Sequence, residues 1–234
     1  MTTRSGRVAY VAGGSGGIGR AVCESLTVDG YTVVSLSRSG RGPSECTSVA
    51  VDLEDEADLA RAFVDARETV GPPTVVVHSI GDIYEPASIA EADWGRWLKT
   101  YSVCVGTAVR LARLVFDDLV THSGTFVTIS SVASHHHYDG ITDYCAAKAA
   151  LEAFVRGLAI ELAPAARAVA IAPAVVDTDL FGRSPYSVEE AASWHRLGRI
   201  GTPSDVAELT RFVVSERAAW MTGSCITLDG GMTL

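Results

Sequence analysis

The sequence predicts an α/β fold, a doubly wound parallel sheet with helices on both faces. Two observations lead to this prediction. Short apolar runs rich in β-branched residues recur along the chain, which is typical of strands buried on both faces, and amphipathic helical stretches separate them. Such alternation favours parallel strands joined by right-handed crossovers. The sequence contains no internal repeat and no long linker, so we expect residues 1–234 to form a single domain.

Each element follows from its own pattern. The expected strands are Val8–Ala12, Thr32–Leu36, Thr47–Val51, Thr74–His78, Thr125–Ile129, Ala168–Ala172 and Ser224–Leu228. The expected helices are Gly17–Asp29, Asp55–Val70, Glu91–Val120, Thr142–Ala163 and Ser204–Ser215, the last preceded by Pro203 as is favoured at a helix start. Between Asp179 and Gly198 no strand pattern is found. We expect there either a mobile lid over a ligand or an ordinary surface helix and loop.

The composition argues against some classes of function, such as binding nucleic acid or spanning a membrane. With 234 residues and 47% hydrophobic content, the chain can bury a large core. Its net charge of −9 argues against a nucleic-acid partner, because binding a phosphate backbone requires clustered lysine and arginine. Met1–Tyr10 contains no signal-peptide core and no apolar run approaches about 18 residues, so we expect no membrane span. The five cysteines form no C-x-x-C pair, and we expect reduced thiols in a cytoplasmic protein.

A glycine-rich turn follows the first strand and leads directly into a helix. Glycines permit a tight turn and a close approach of the backbone to a phosphate, and the N-terminus of the helix adds N–H groups and the positive end of its dipole. The sequence therefore predicts a nucleotide-binding turn. Its residues are Gly13, Ser15, Gly17, Ile18 and Gly19.

Tyr144 and Lys148 lie one turn apart in a predicted helix, so their side chains share one face. A free phenol has a pKa of about 10, and a nearby ammonium group favours the phenolate. We therefore expect a lowered pKa and a general acid/base role for Tyr144. Ser131 follows the strand Thr125–Ile129 at its carboxyl end, where it could hold a substrate oxygen.

In combination, these motifs resemble the short-chain dehydrogenase/reductase family. The resemblance rests on G-x-x-x-G-x-G at Gly13–Gly19, on Ser131 before Tyr-x-x-x-Lys, and on Leu228-Asp-Gly-Gly231, and it covers essentially the whole chain. It implies a Rossmann-type sheet of about seven strands, a nicotinamide cofactor and hydride transfer. It also implies that Tyr144 donates a proton to the carbonyl oxygen of a small-molecule substrate, that Lys148 holds the nicotinamide ribose, and that Ser131 orients the substrate oxygen.

The end of the second strand favours NADP(H) as the cofactor. No carboxylate stands there to hold ribose hydroxyls, whereas Arg38 offers a planar cation for a 2′-phosphate and Ser37 offers a hydroxyl. Asp52 and Leu53 are similar to the family's adenine-contacting residues, although Asp52 is alternatively a cap for the helix that begins near Asp55. By the same resemblance, further cofactor contacts are expected at Ser79, Gly81, Pro173, Val176 and Thr178, with Ala174 in place of the family's usual glycine.

Departures from the family pattern leave the reaction open. His78-Ser-Ile-Gly81 replaces the usual Asn-Asn-Ala-Gly, and the position of the family's catalytic asparagine falls on Tyr101. A water molecule, Ser102 or the Tyr101 hydroxyl could substitute for that asparagine. The His-Ser-Ile-Gly string also resembles enoyl-thioester reductases, but Ile141 stands seven positions before Lys148, where those enzymes carry tyrosine. Carbonyl reduction in biosynthetic metabolism is the leading prediction, and the alternatives are an enoyl (C=C) reductase and a non-catalytic NADP-binding regulator.

Two further segments carry expectations about ligands and partners. His135–His137 favour a border of the substrate pocket over a metal site, because neighbouring side chains diverge and no acidic or cysteine cluster accompanies them. The helix Thr142–Ala163 is rich in alanine, so one face could approach a partner helix closely or pack within the subunit. The family resemblance implies a homo-oligomer, a tetramer or a dimer, that pairs through this helix.

Overall fold

The computed structural model describes residues 6–234, so Met1–Ser5, the start of the expected domain and of the segment inspected for a signal peptide, lie outside it. Seven parallel strands form one sheet in the order β3-β2-β1-β4-β5-β6-β7. The strands are β1 Val8–Ala12, β2 Thr32–Ser37, β3 Thr47–Ala50, β4 Val75–His78, β5 Thr125–Ile129, β6 Arg167–Pro173 and β7 Cys225–Leu228. The predicted Rossmann-type parallel sheet is confirmed, with small differences at the strand ends.

Helices cover both faces of this sheet. They are α1 Gly17–Val28, α2 Glu56–Thr69, α3 Trp94–Tyr101, α4 Thr107–Thr121, α5 Thr142–Leu162, α6 Val188–Ser193 and α7 Pro203–Val214. Alternate residues of β1 show the two layers: Tyr10 packs with Phe63 of α2 and Leu111 of α4, whereas Val11 packs with Leu26 of α1 and with residues of α7. Strands buried on both faces explain the continuous apolar runs in the sequence.

Asp55, rather than Asp52, caps α2. The side chain of Asp55 accepts hydrogen bonds from the backbone N–H groups of Ala57 and Asp58. Asp52 instead accepts a hydrogen bond from the N–H of Glu54 at 2.9 Å. The alternative prediction that Asp52 caps this helix is wrong, because Asp55 already satisfies the N–H groups of the first turn.

The predicted continuous helix Glu91–Val120 is wrong in its interior. A π-helical turn, Ser102–Gly106, separates α3 from α4, and the N–H of Thr107 donates to the carbonyl oxygen of Ser102, one residue further back than in an α-helix. The Thr107 hydroxyl donates to the carbonyl oxygen of Val103 at 2.6 Å and pairs with Nε2 of His78 at 2.8 Å. A side chain from β4 thus supports the widened turn, which a local helical pattern does not reveal.

The segment expected to be a lid or a surface loop reaches across the carboxyl edge of the sheet. It contains a 3-10 turn, Phe181–Arg183, and α6, which begins with a capping box. Arg183 forms an ion pair with Asp82 in the loop after β4. Among residues 6–234, no helix combines the length and hydropathy that a bilayer-spanning segment requires.

Candidate active site

The carboxyl ends of β1, β4, β5 and β6 meet at one edge of the sheet. Strand order reverses between β1 and β4, and ligands of open α/β sheets bind in the crevice outside such a reversal. Four segments lie at or directly after the ends of these strands: the glycine turn, the His78–Gly81 string, Ser131 and the Pro173–Thr178 segment. Residues that are far apart in the sequence therefore converge at this edge.

Three glycines of the turn after β1 have no room for a side chain. A Cβ atom on Gly13, whose φ is +86°, would lie 2.3 Å from the carbonyl oxygen of Ser79, and one on Gly19 would lie 2.2 Å from that of Gly13. A Cβ atom on Gly17 would lie 2.8 Å from Cγ2 of Thr178. The N-terminus of α1 has no side-chain cap. A close-packed glycine backbone leading to uncapped N–H groups fits a pyrophosphate.

The other two predicted residues of the turn have different surroundings. Ser15 is exposed, whereas Ile18 packs in part against the core cluster beneath α1. The position of Ser15 therefore suits a hydrogen bond to a ligand, and Ile18 can offer its backbone N–H.

A loop of paired hydroxyls follows β2. The Ser37 hydroxyl donates to the carbonyl oxygen of Arg41 at 3.0 Å, and the N–H of Arg41 donates to the Ser39 hydroxyl at 3.3 Å. Arg38 lies within this loop and is exposed. The structure therefore presents a cation at the end of β2, while the Ser37 hydroxyl is engaged within the loop.

Asp52 and Leu53 follow β3. The Asp52 side chain is exposed, but that of Leu53 is buried in the core cluster beside α2. Because Leu53 presents little surface, its contact with an adenine ring remains a prediction.

Ser131, Tyr144 and Lys148 come together beside the end of β5. Nζ of Lys148 lies 5.5 Å from the centroid of the Tyr144 ring and donates to the carbonyl oxygen of Ile129 at 2.9 Å. The Ser131 hydroxyl accepts a hydrogen bond from the N–H of Ala133 at 3.1 Å and is near enough to Tyr144 to lower the pKa of that phenol in part. The three side chains predicted to be catalytic are therefore neighbours.

The adjacent serine is engaged elsewhere. The Ser130 hydroxyl donates to Oε1 of Glu152 at 2.8 Å. This bond supports Ser131, rather than Ser130, as the hydroxyl that faces a substrate.

The expected lowering of the Tyr144 pKa is not found. Burial raises the pKa of the Tyr144 phenol, and the Ser131 hydroxyl offsets only part of this effect. Burial lowers the pKa of the Lys148 ammonium, which is also turned toward the carbonyl oxygens of Ile129 and Ile80. A neighbouring positive charge lowers the pKa of a phenol, but the loss of water around Tyr144 raises it by more. The phenol is protonated at neutral pH, as a proton donor must be.

Neither Tyr101 nor Ser102, the two residues that could substitute for the missing asparagine, contacts Lys148. Tyr101 is 44% exposed, and the Ser102 hydroxyl donates to Oε1 of Glu54 at 2.8 Å. Cys104 is a fully buried side chain of the π turn near this site. A Cβ atom on Gly81 would lie 3.0 Å from Nζ of Lys148 and 3.9 Å from Sγ of Cys104. The helical pattern places the family's asparagine at Tyr101, and Val103 and Cys104, the shifted alternatives, are not asparagine either; the π turn, which that pattern does not reveal, holds Cys104.

His78 lies buried beneath this site. Its Nε2 atom bonds to Thr107, and its Nδ1 atom has no partner among the described residues. Burial and the charge of Lys148 hold the pKa of His78 at about 3. His78 is therefore neutral and acts as structural support for the π turn.

The segment after β6 reaches the glycine turn. The N–H of Ala174 donates to the carbonyl oxygen of Leu228 at 3.1 Å, and Ala174 does not have a positive φ, so replacement of the family's glycine costs nothing. The Thr178 hydroxyl donates to the carbonyl oxygen of Val176 at 3.3 Å. Pro173 thus ends β6, and Val176 and Thr178 lie in the loop after it, which ends against Gly17.

The three consecutive histidines are exposed. His135 pairs with the Ser134 hydroxyl at 3.0 Å, and the His136 ring packs edge-on against Tyr138 at 5.2 Å. Across residues 6–234, no group of three or more His, Cys, Asp or Glu side chains is arranged to hold a metal ion.

Comparison with known proteins agrees with this geometry. A family model described as enoyl-(acyl carrier protein) reductase matches residues 12–233. The 3-oxoacyl-[acyl-carrier-protein] reductase FabG of Pseudomonas aeruginosa is 30% identical, with 97% of each chain covered. The chain belongs to the short-chain dehydrogenase/reductase family. This family consists of oxidoreductases that use NAD(H) or NADP(H).

Other members of the short-chain dehydrogenase/reductase family show the same extent of similarity. The 3-oxoacyl-[acyl-carrier-protein] reductase MabA of Mycobacterium tuberculosis is 29% identical, with 97% of this chain and 92% of MabA covered. The ligand-free aldohexose dehydrogenase of Thermoplasma acidophilum superposes with a TM-score of 0.92 at 24% identity, with 97% and 94% of the two chains covered. At that identity, the superposition supports the fold alone.

Proposed function

We propose that this short-chain dehydrogenase/reductase uses NADPH to reduce the carbonyl group of a small-molecule ketone, or catalyses the reverse oxidation of the alcohol. The observation that carries the proposal is the meeting of Ser131, Tyr144 and Lys148 beside a glycine turn that fits a pyrophosphate. When bound, the reduced nicotinamide supplies a hydride. Relatives named as 3-oxoacyl-[acyl-carrier-protein] reductases support carbonyl reduction and a biosynthetic role.

The residues of the chain would donate the proton and orient the substrate. Tyr144, which burial keeps protonated, would donate its phenolic proton to the carbonyl oxygen as negative charge develops there. Ser131 would hold the same oxygen by a hydrogen bond, which fixes the carbonyl for attack. Lys148 would bind the nicotinamide ribose, and its charge would then favour the phenolate that remains on Tyr144.

NADPH is the proposed form of the nicotinamide because the end of β2 carries an exposed arginine and no carboxylate. Arg38 would bind the 2′-phosphate through charge-assisted hydrogen bonds. Gly13, Gly17 and Gly19 would approach the pyrophosphate, and Thr178 closes the same turn from the β6 side. The remaining cofactor contacts stay as expected from the sequence, namely Ser15, Ile18, Ser37, Asp52, Leu53, Ser79, Gly81, Pro173 and Val176.

Reduction of a conjugated C=C bond is the second candidate function. The description of the matching family model and the His78–Gly81 string favour it. The acid/base spacing opposes it, because Ile141 carries no proton donor at the position where enoyl-thioester reductases carry tyrosine. A purely regulatory role is disfavoured because all three catalytic side chains are present and adjacent.

A paired substrate assay tests the proposed reaction. Oxidation of NADPH is followed at its absorbance maximum with a panel of β-ketoacyl and aryl ketones and with matched enoyl thioesters. We expect turnover with ketones and none with enoyl substrates. Turnover confined to enoyl substrates would establish the second candidate, and stoichiometric cofactor binding without turnover of either class would favour the regulator.

We also propose that the chain forms a homo-oligomer through α5 and its neighbour α4, and that it acts in the cytoplasm. Ile160 on α5 is 79% exposed, and Val109 on α4 is also exposed. Part of α5 carries only small side chains, which would let a partner helix approach closely; these are the alanines at positions 146, 149, 150 and 153. All five cysteines are free, which suits a reducing compartment.

The oligomer proposal predicts a dimer or a tetramer at micromolar concentration. Replacing Ile160 with glutamate should shift the mass toward the monomer, because a charge would be buried in the pairing face. Light scattering on both proteins provides the measurement, with Val28→Glu on the exposed part of α1 as the matched control. A monomeric parent protein would contradict the proposal.

A further inference from the structure

A buried ion pair lies next to the catalytic tyrosine. Asp143, which directly precedes Tyr144, is only 5% exposed. Its Oδ2 atom lies 3.2 Å from Nε of Arg96 and accepts a hydrogen bond from the Thr100 hydroxyl at 2.9 Å. The arginine contact is one of charge, because its Nε–H is not aligned for a hydrogen bond. Two side chains of α3 thus hold the first turn of α5.

Arg96 also holds the loop that follows β4. Its Nη1 atom donates to the carbonyl oxygen of Glu85 at 2.6 Å. In the same loop, the N–H of Ala87 donates to the carbonyl oxygen of Gly140, just before α5, at 2.9 Å. A Cβ atom on Gly140 would lie 2.9 Å from Cβ of Pro86. The loop and the start of α5 are therefore in close contact, and Arg96 contacts both, the loop by a hydrogen bond and the helix by its charge.

The start of α5 has little other polar support. Its N-cap residue, Ile141, makes no side-chain capping hydrogen bond. Asp143 supplies the negative charge that a helix N-terminus favours, and a carboxylate so deeply buried requires a charged partner. The orientation of the first turn, which carries Tyr144, consequently depends on Arg96 and Thr100.

We propose that Arg96, Thr100 and Asp143 form a positioning triad, which sets the Tyr144 hydroxyl relative to the substrate carbonyl. The proposal rests on the proposed carbonyl reduction. The three residues act through the backbone of α5 and through the loop after β4, so they are positioning residues and not catalytic ones. Because displacing a reacting group by about 1 Å can lower a rate about 100-fold, the triad should act on kcat.

The central test compares Arg96→Met with the double variant Arg96→Met/Asp143→Leu. The single variant leaves a buried carboxylate unpaired and should lower the melting temperature, whereas the double variant removes both charges and should fold stably. We expect both to lower kcat for ketone reduction by about 10- to 100-fold. The KM for NADPH should change little, because the glycine turn and β2 lie outside the triad. Arg96→Lys, which keeps the charge, should restore part of kcat.

A second ion pair offers a matched control. In this pair, Nε of Arg67 in α2 donates a hydrogen bond to Oδ2 of Asp118 in α4 at 2.8 Å. The pair lies away from the carboxyl edge of the sheet. Arg67→Met should lower the melting temperature and leave kcat unchanged. If the double variant at Arg96 and Asp143 retains the parent kcat, or if Arg67→Met lowers kcat equally, the ion pair is only structural and the proposal is overturned.

Hydrogen exchange separates failure of the triad from failure of the proposed reaction. If the parent protein reduces no ketone, the proposed function fails, and exchange at residues 141–147 is then compared between the parent and the double variant. The triad predicts faster amide exchange in this turn of the variant, at an unchanged melting temperature. Equal exchange rates would overturn the triad independently of activity.

Discussion

Replacing Tyr144 with phenylalanine is expected to lower kcat for carbonyl reduction by about 10²- to 10⁴-fold, the range for loss of a general acid. The ring is buried beside Lys148, so phenylalanine keeps the packing and removes only the proton donor. Binding of NADPH should persist, because the glycine turn and the end of β2 are unaltered. Steady-state kinetics and a fluorescence titration of the nucleotide measure the two effects separately.

Tyr10→Phe is the matched control for this substitution. Tyr10 is fully buried, and its hydroxyl donates to the carbonyl oxygen of Gly71 at 2.9 Å on the far side of the core. Its loss should cost about 1 kcal/mol of stability and leave kcat unchanged. The mechanism is contradicted if Tyr144→Phe retains nearly the parent kcat.

Comparison of the parent protein with Tyr144→Phe also measures the protonation state of Tyr144. Burial raises its pKa in the cofactor-free chain, so the phenol should remain protonated through neutral pH. The difference in tyrosinate absorbance between the parent and Tyr144→Phe should therefore be absent below about pH 10. A difference signal near neutral pH would show that Lys148 already outweighs burial without the cofactor.

Replacing Arg38 with aspartate is expected to reverse the nucleotide preference. Hydrogen bonds to a charged group contribute about 1.5–3 kcal/mol, so losing those to the 2′-phosphate should raise the KM for NADPH by about 10- to 150-fold. The carboxylate would repel the phosphate further and could accept bonds from the ribose hydroxyls of NADH. The measurement is the ratio of kcat/KM for NADPH to kcat/KM for NADH, compared between the parent protein and Arg38→Asp.

Arg217→Asp is the control for the change in charge. Arg217 is exposed after α7, and its substitution alters the net charge by the same amount. Arg217→Asp should leave the NADPH-to-NADH ratio of kcat/KM unaltered. A lower KM for NADH than for NADPH in the parent protein, or an unchanged ratio in Arg38→Asp, would contradict NADP(H) as the cofactor.

Local patterns were sufficient for the sheet and for the position of most site residues. Strands buried on both faces leave continuous β-branched runs, and the turn after β1 needs glycine because its neighbours lie too close for a Cβ atom. Tyr144 and Lys148 share a helix face by their spacing alone. These features depend on short-range geometry, which a sequence displays directly, and the strand order then brings the residues to one edge.

Other features depend on contacts between distant segments. The π turn is supported by His78 of β4, and its Cys104 side chain, unlike Tyr101 or Ser102, lies close to Gly81 beside Lys148. Arg96 and Asp143 are far apart in the sequence and meet only because α3 packs against the start of α5.

The sequence by itself determined the family and the parallel sheet, and it predicted the nucleotide-binding glycine turn and Tyr144 as the proton donor. Only the tertiary structure decided how strongly burial shifts the pKa of Tyr144 and which side chains contact the first turn of its helix. Tyr144 and Lys148 are both buried, and the desolvation that governs their pKa values is a property of everything packed around them. Spacing along a helix reports which residues are neighbours, but not how much water they have lost.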